Sequence, residues 1–195
     1  MKYLISNIND YSNNYINKFY NNINIEKRTK IDKLVNKKDK YRSIIGEILL
    51  SKLIDNYTEL LFKTNKNGKP YIINKNIYYN ISHSNDFIIC AISNKEIGID
   101  IEKIKTVNLN IINKFATDKE KKYILSNKDK ALERLYQIYT LKESYIKCLG
   151  DNMTKLLDIE FIIDNNITCS DKNIKSYTIN DINGYSISIC EKISV

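Results

Sequence analysis

The sequence predicts an α+β protein built from two similar lobes. Three observations support this. Apolar residues recur at helical spacing in some stretches and alternate in others, so both periods are present. With 43% hydrophobic residues the chain can bury a core, and its one Pro and five Gly are spread too thinly to mark a linker. Two segments resemble each other: "IEKRTKIDKLVNKKDKYR" at 25–42 and "DKEKKYILSNKDKALER" at 118–134. Each places a glutamate before a short basic helix, then runs through a Lys-Asp-Lys turn and an arginine into a long helix. Strands follow each long helix, ending in "DFIICAIS" and "GYSISIC". The repetition implies a pseudo-twofold duplication with lobes at 1–95 and 96–195 and a cleft between them, where ligands often bind.

Taken in order, residues 2–8 read as a strand. Tyr11, Tyr15, Ile16, Phe19 and Ile23 fall at helical spacing, and Ile31, Leu34 and Val35 mark a short helix. A longer helix is expected from Asp39 to Leu61, ending before Gly68-Lys69-Pro70. Three strand-like runs follow, Ile77–Ser82, Phe87–Ser93 and Ile97–Lys103, with Asn85-Asp86 as a turn. Helical signals return at Leu109–Phe115, then from an N-cap at Asp118 to Leu125, and from Asp129 to Leu149, closed by Gly150. Ile159–Ile163, Ser176–Ile179 and Tyr185–Cys190 read as strands.

The formal net charge of +8 suits anionic partners without selecting one. No apolar run approaches the ~18 residues of a membrane span. The N-terminal residues turn polar too soon for a secretory signal. Cys90, Cys148, Cys169 and Cys190 lack CxxC spacing, which favours reduced thiols and a cytoplasmic protein.

Four groups of residues carry chemistry. In Gly98-Ile99-Asp100-Ile101-Glu102, strand alternation puts Asp100 and Glu102 on one face and the isoleucines on the other. Paired carboxylates repel unless a cation lies between them, and oxygen ligands suit Mg²⁺. An ordinary half-buried strand gives the same alternation. On the second long helix, Leu132, Tyr136, Tyr139, Glu143 and Ile146 form a stripe with Lys147 four residues beyond Glu143. That spacing allows either a simple ion pair or a third metal carboxylate with a phosphate-binding lysine. His83, the only histidine, sits between Ser82 and Ser84, a setting for a structural hydrogen bond or for phosphate. Lys27, Lys30, Arg42 and Lys69 with Pro70 form a basic set. A solvated face accounts for the first two equally well, but Arg42 shares a stripe with Ile45, Leu49 and Leu53.

Taken together, GIDIE and a helical KESxxK some forty residues later resemble the 4′-phosphopantetheinyl transferases, specifically the larger two-lobed type that primes peptide, polyketide and fatty-acid synthases. The resemblance runs from Lys27 to the closing strands. It implies Mg²⁺ held by Asp100, Glu102 and Glu143 together with the pyrophosphate of coenzyme A. It implies that Glu120 stands near the metal or removes a proton, and that Lys147 contacts the pyrophosphate. Lys27, Lys30, Arg42 and His83 then match phosphate-binding positions, mostly for the 3′-phosphate, and Lys69, Pro70 and Ser82 match the nucleotide-binding segment. The partner implied is an acyl or peptidyl carrier protein, typically acidic around its serine, with Glu143 or Glu120 taking the serine proton. A monomer is expected, because the chain already contains both halves of a site. The sequence departs from the family where Tyr139 replaces a frequent Trp, and where Gly150-Asp151-Asn152-Met153-Thr154-Lys155 replaces a Gly-Lys-Gly-Leu-like loop. Two other readings are a nucleic-acid binder, which no RNA-binding signature supports, and a degenerate relative that binds without catalysis, against which the intact carboxylates stand.

Overall fold

The structure, a computed structural model, describes residues 1–151 and 154–193; Asn152 and Met153 of the departing loop lie outside the described residues. The first half contains β1 (Lys2–Asn7), α1 (Asn13–Tyr20), α2 (Ile25–Asp32), α3 (Lys37–Leu53), β2 (Phe62–Thr64), β3 (Pro70–Ile72), β4 (Tyr78–Ser84) and β5 (Phe87–Ser93). The second contains β6 (Ile97–Lys103), α4 (Asp118–Leu125), α5 (Ala131–Leu149), β7 (Phe161–Ile163), β8 (Ile167–Cys169), β9 (Ile174–Ile179) and β10 (Tyr185–Lys192). Two antiparallel sheets result, ordered β1-β5-β4 and β6-β10-β9, alongside the small hairpins β2-β3 and β7-β8. The two-lobed α+β architecture expected from the sequence is therefore present, each lobe being a sheet with its own long helix.

Strand alternation explains the layering. On β5, Ile88, Cys90 and Ile92 pack with the apolar face of α3, where Ile44, Ile45, Ile48, Leu49 and Leu50 are buried. The opposite residues, Ile89 and Ala91, meet Ile97, Ile99 and Ile101 of β6 and Ile187 and Ile189 of β10 in a core shared by both sheets. The other face of β6 carries Asp100 and Glu102. The whole arrangement thus brings β6 beside α5 on one side and beside β4 at its edge.

Several boundaries differ from the sequence expectation. Helix α2 starts at an Asn24 cap and ends at Asp32; Asn36 caps α3 at once, so Leu34 and Val35 form the link between them. Helix α3 stops at Leu53, and Asn56 then adopts a left-handed conformation, φ 58°, before a short 3₁₀ turn. The N-cap of α4 is Thr117 rather than Asp118, within a capping box that includes Glu120. The hairpin β2-β3, which spans Gly68-Lys69-Pro70, and strand β8 were not expected, because three-residue strands carry almost no periodicity. The turn at Asn85-Asp86 and the left-handed Gly150 cap of α5 are as expected.

Candidate active site

The site is built from β4, β6 and α5. Helix α5 lies so close to β6 that a Cβ on Gly98 would sit 2.1 Å from the Ser144 carbonyl oxygen and 2.2 Å from the Cys148 nitrogen. Only glycine permits this approach, and it carries the Tyr139, Glu143 and Lys147 face of α5 over the carboxylates of β6. A pocket of about 230 Å³ results, lined by Ile81, Ser82, His83, Asp100, Glu102, Tyr139, Glu143 and Lys147.

Strand β4 supplies hydroxyls from the other lobe at the same two-residue period as the carboxylates. Ser82 Oγ donates to Asp100 Oδ1 at 2.9 Å, and Ser84 Oγ donates to Glu102 Oε2 at 2.8 Å. Asn80 Oδ1 accepts from the Ile99 amide and Ser84 Oγ from the Lys103 amide, at 2.9 and 3.0 Å. The two edges therefore meet through alternating polar side chains. Lys147 Nζ lies 2.6 Å from Asp100 Oδ1 and 3.0 Å from Ser82 Oγ. It thus reaches across to the strand, where the sequence offered Glu143 as its i,i+4 partner.

Asp100 is 3% exposed, and its second oxygen, Oδ2, is buried without a hydrogen-bond partner. An orphaned carboxylate oxygen on a residue that shares its pocket with two further carboxylates makes an all-oxygen donor set whose chemistry fits a hard divalent cation. Among the described residues, however, no three His, Cys, Asp or Glu side chains are already gathered into a ready metal site. Burial first, and then the charge of Asp100, raise the Glu143 carboxyl above its ordinary value. Glu102 is also raised, by burial foremost, although its bond from Ser84 opposes this. Burial and the Glu143, Asp100 and Glu102 carboxylates push the Tyr139 phenol upward, so it remains a hydrogen-bond donor, and its partner is Glu143. Its ring stands edge-on to Phe115, with centroids 5.4 Å apart.

Glu120 lies elsewhere. It is fully buried, pairs with the equally buried Lys142 at 2.7 Å, and accepts from the Thr117 and Phe161 amides at 2.7 and 2.8 Å. Lys142 completes its own donors on the Leu156 and Ile159 carbonyls, both at 2.7 Å. This closed pair ties α4, α5 and β7 together. Glu120 therefore sits inside the fold, outside the pocket lined by Asp100, Glu102 and Glu143 where a metal-side or proton-removing role was expected of it.

The basic residues divide. Lys27, Lys30 and Pro70 line a second pocket of about 290 Å³ with Glu47 and Tyr79. Within it Lys27 is held by Glu47 Oε2 at 2.7 Å and lies 3.4 Å from the Phe62 ring centroid. Tyr57 donates to the same glutamate oxygen at 2.6 Å. Arg42 donates from Nε to the Asn85 carbonyl at 2.8 Å and pairs with Asp39 at 2.6 Å. The anion expected for the Arg42 stripe is thus partly supplied by the chain itself. His83 is held below the ordinary imidazole value, by burial first and by Arg42 next. Lys69 is not in the pocket with Lys27; its ammonium donates to the Cys148 carbonyl, while Asn65 and Asn67 donate to the Gly150 carbonyl, each at 3.0 Å. The hairpin loop thereby caps the C-terminus of α5, where positive charge is favoured. Glu47 escaped the sequence reading, and Ser84 entered it only as a neighbour of His83, not as the partner of Glu102. The Asn80-x-Ser82-x-Ser84 alternation could have revealed Ser84, whereas nothing in sequence spacing links Glu47 to Lys27.

Residues 96–192 match the 4′-phosphopantetheinyl transferase superfamily, and residues 11–96 match the 4′-phosphopantetheinyl transferase N-terminal family. The 4′-phosphopantetheinyl transferase gsp of Aneurinibacillus migulanus is 34% identical over 166 residues, which cover 82% of this chain and 69% of that protein. The 4′-phosphopantetheinyl transferase Sfp of Bacillus subtilis strain 168 is 31% identical over 189 residues, which cover 89% and 84%. With similarity of this extent running through both lobes, the chain belongs to the 4′-phosphopantetheinyl transferase family.

Proposed function

We propose that this protein moves the phosphopantetheine arm of coenzyme A onto a serine of an apo acyl or peptidyl carrier protein, releasing 3′,5′-ADP. The observation that carries the reading is the Asp100-Glu102-Glu143-Lys147 pocket at the meeting of the lobes, with its unpaired Asp100 oxygen. Asp100, Glu102 and Glu143 are the residues that would hold Mg²⁺. The chemistry a bound Mg²⁺ supplies is neutralisation of the pyrophosphate and polarisation of the phosphoryl group under attack. Lys147, on a flexible four-carbon stem, sets its ammonium against the pyrophosphate oxygens. Glu143, which lines the same pocket, takes the proton of the carrier serine. The serine oxygen forms a bond to the β-phosphorus as the bond to 3′,5′-ADP breaks, and the charge left on the departing phosphate is offset by Lys147. Lys30 and Pro70, with Lys27 once it leaves Glu47, line the pocket we assign to the nucleotide, with Arg42 and His83 at the 3′-phosphate. Ser82 fixes Asp100 across the lobes, and Lys69 acts through the end of α5.

The same reading takes the lobes as 1–95 and 96–195 and the protein as a cytoplasmic monomer. No helix among the described residues is long and apolar enough to cross a membrane, and the four cysteines are free. Incubation with coenzyme A, Mg²⁺ and a panel of apo carriers, followed by intact mass, tests the proposal. A mass gain of one phosphopantetheine on the carrier is expected. Asp100→Ala should lower the rate by on the order of 10²–10³, as loss of a positioned electrostatic group does. Wild-type protein that modifies no carrier and releases no 3′,5′-ADP would refute the reading.

A further inference from the structure

We propose that Lys147 is a resident counter-ion of the acidic pocket, exchanged for a divalent cation when the site is loaded, and that this exchange sets how tightly the metal is held. Three carboxylates converge on the pocket, and the cationic side chain lining it with them is Lys147. Its ammonium is 2.6 Å from Asp100 Oδ1, and Ser82 Oγ occupies the same oxygen at 2.9 Å. Oδ1 is therefore saturated by donors from two elements, while Oδ2 of the same buried carboxylate has no partner. A divalent cation approaching Oδ2 meets a positive charge within one carboxylate's width, inside a partly buried pocket where charges are poorly screened.

The two cations compete. The ammonium stabilises Asp100 in the metal-free protein, since a buried carboxylate without a partner is costly. The same ammonium raises the free energy of the metal complex until it leaves. Lys147 has somewhere to go: its side chain is 31% exposed, against 5% for Asp100, so its stem can swing toward the pocket mouth. Released there, it is free for the incoming phosphate, which is the point at which this inference rests on the transferase reading.

Mn²⁺ titrated into the protein without coenzyme A, and followed by electron paramagnetic resonance of the free ion, tests the exchange. Lys147→Met keeps the apolar stem and removes the charge, and should bind Mn²⁺ about tenfold to hundredfold more tightly, the effect expected of one neighbouring charge at this range. Lys147→Arg keeps the charge and should bind close to wild type. Met-variant affinity equal to or weaker than wild type would overturn the proposal. A second measurement needs no variant: the ¹⁵N resonance of the Lys147 ammonium in wild-type protein should shift or broaden away as Mg²⁺ is added, and an unchanged signal at saturating Mg²⁺ would also overturn it. Carrier priming assayed in parallel separates the two claims. Priming with no competition sinks the exchange alone, and competition with no priming sinks the transferase reading alone.

Discussion

Glu143 has the most revealing environment of any residue in the pocket. Its carboxyl is raised above 4.5 by burial and by Asp100, so the native metal-free state binds a proton more readily than the unfolded chain. A carboxyl raised on folding contributes stability at low pH and loses it as pH climbs from 4.5 through the folded value. Glu143→Gln removes that loss. Without metal, the variant should therefore melt higher than wild type at pH 7.5, and the difference should shrink as pH falls toward 4.5. Thermal denaturation in chelator across that range checks it; a variant that melts at or below wild type at pH 7.5 would contradict the electrostatics. Lys27 shows the converse case. Burial lowers its ammonium, and Glu47 offsets the shift, so the pair is mutually dependent.

At the scale of elements, the contact of β6 with α5 decides the site. The Cβ of Gly98→Ala would strike backbone atoms of Ser144 and Cys148, which cannot turn aside as a flexible side chain could. The helix must move away from the strand, carrying Glu143 and Lys147 with it. We expect a loss of about 3 kcal/mol, the upper end of overpacking costs, and transfer well below wild type in the fraction that stays folded. Urea denaturation with activity normalised to folded protein reads both, and wild-type transfer from a folded Gly98→Ala protein would show that the close approach is dispensable. The Glu120–Lys142 pair makes a different prediction for α4 and α5. Glu120→Ala strands a fully buried ammonium, so it should cost about 3–5 kcal/mol. Molecules that remain folded at low temperature should keep transfer. If transfer disappears while denaturant stability is unchanged, Glu120 has a chemical role after all.

For the whole molecule, the charge of +8 bears on encounter. A basic enzyme meeting a carrier that is acidic around its serine gains association rate from long-range attraction, which salt removes once the screening length falls well below about 10 Å. At saturating coenzyme A, kcat/KM for the carrier should fall roughly tenfold between 50 and 500 mM NaCl, with kcat little changed. A salt-independent kcat/KM would mean that the net charge serves some other purpose.

How much of this was legible in the sequence depends on the range of the interaction. The alternation in GIDIE placed Asp100 and Glu102 on one face and the isoleucines in the core, and β6 has that arrangement. Gly150 ended the long helix, and Asn85-Asp86 turned the chain between β4 and β5. The repeated pattern of helix and strands gave the two lobes. These are local or periodic properties, fixed by backbone geometry within a few residues. Partner choice was not legible. Glu120, Glu143 and Asp100 are all carboxylates near lysines in the sequence, yet one is sealed against Lys142, one faces the pocket and one holds Lys147. Lys69 donates to the last turn of α5, while Glu47, unremarkable in sequence, pairs with Lys27, and neither partner could be read from spacing. The sequence by itself determined which elements form and which chemical groups they carry. The tertiary structure alone decided which opposite charges meet, because ion pairs close only within about 4 Å between segments tens of residues apart, and it is the packing of those segments, as of β6 on α5 at Gly98, that sets such distances.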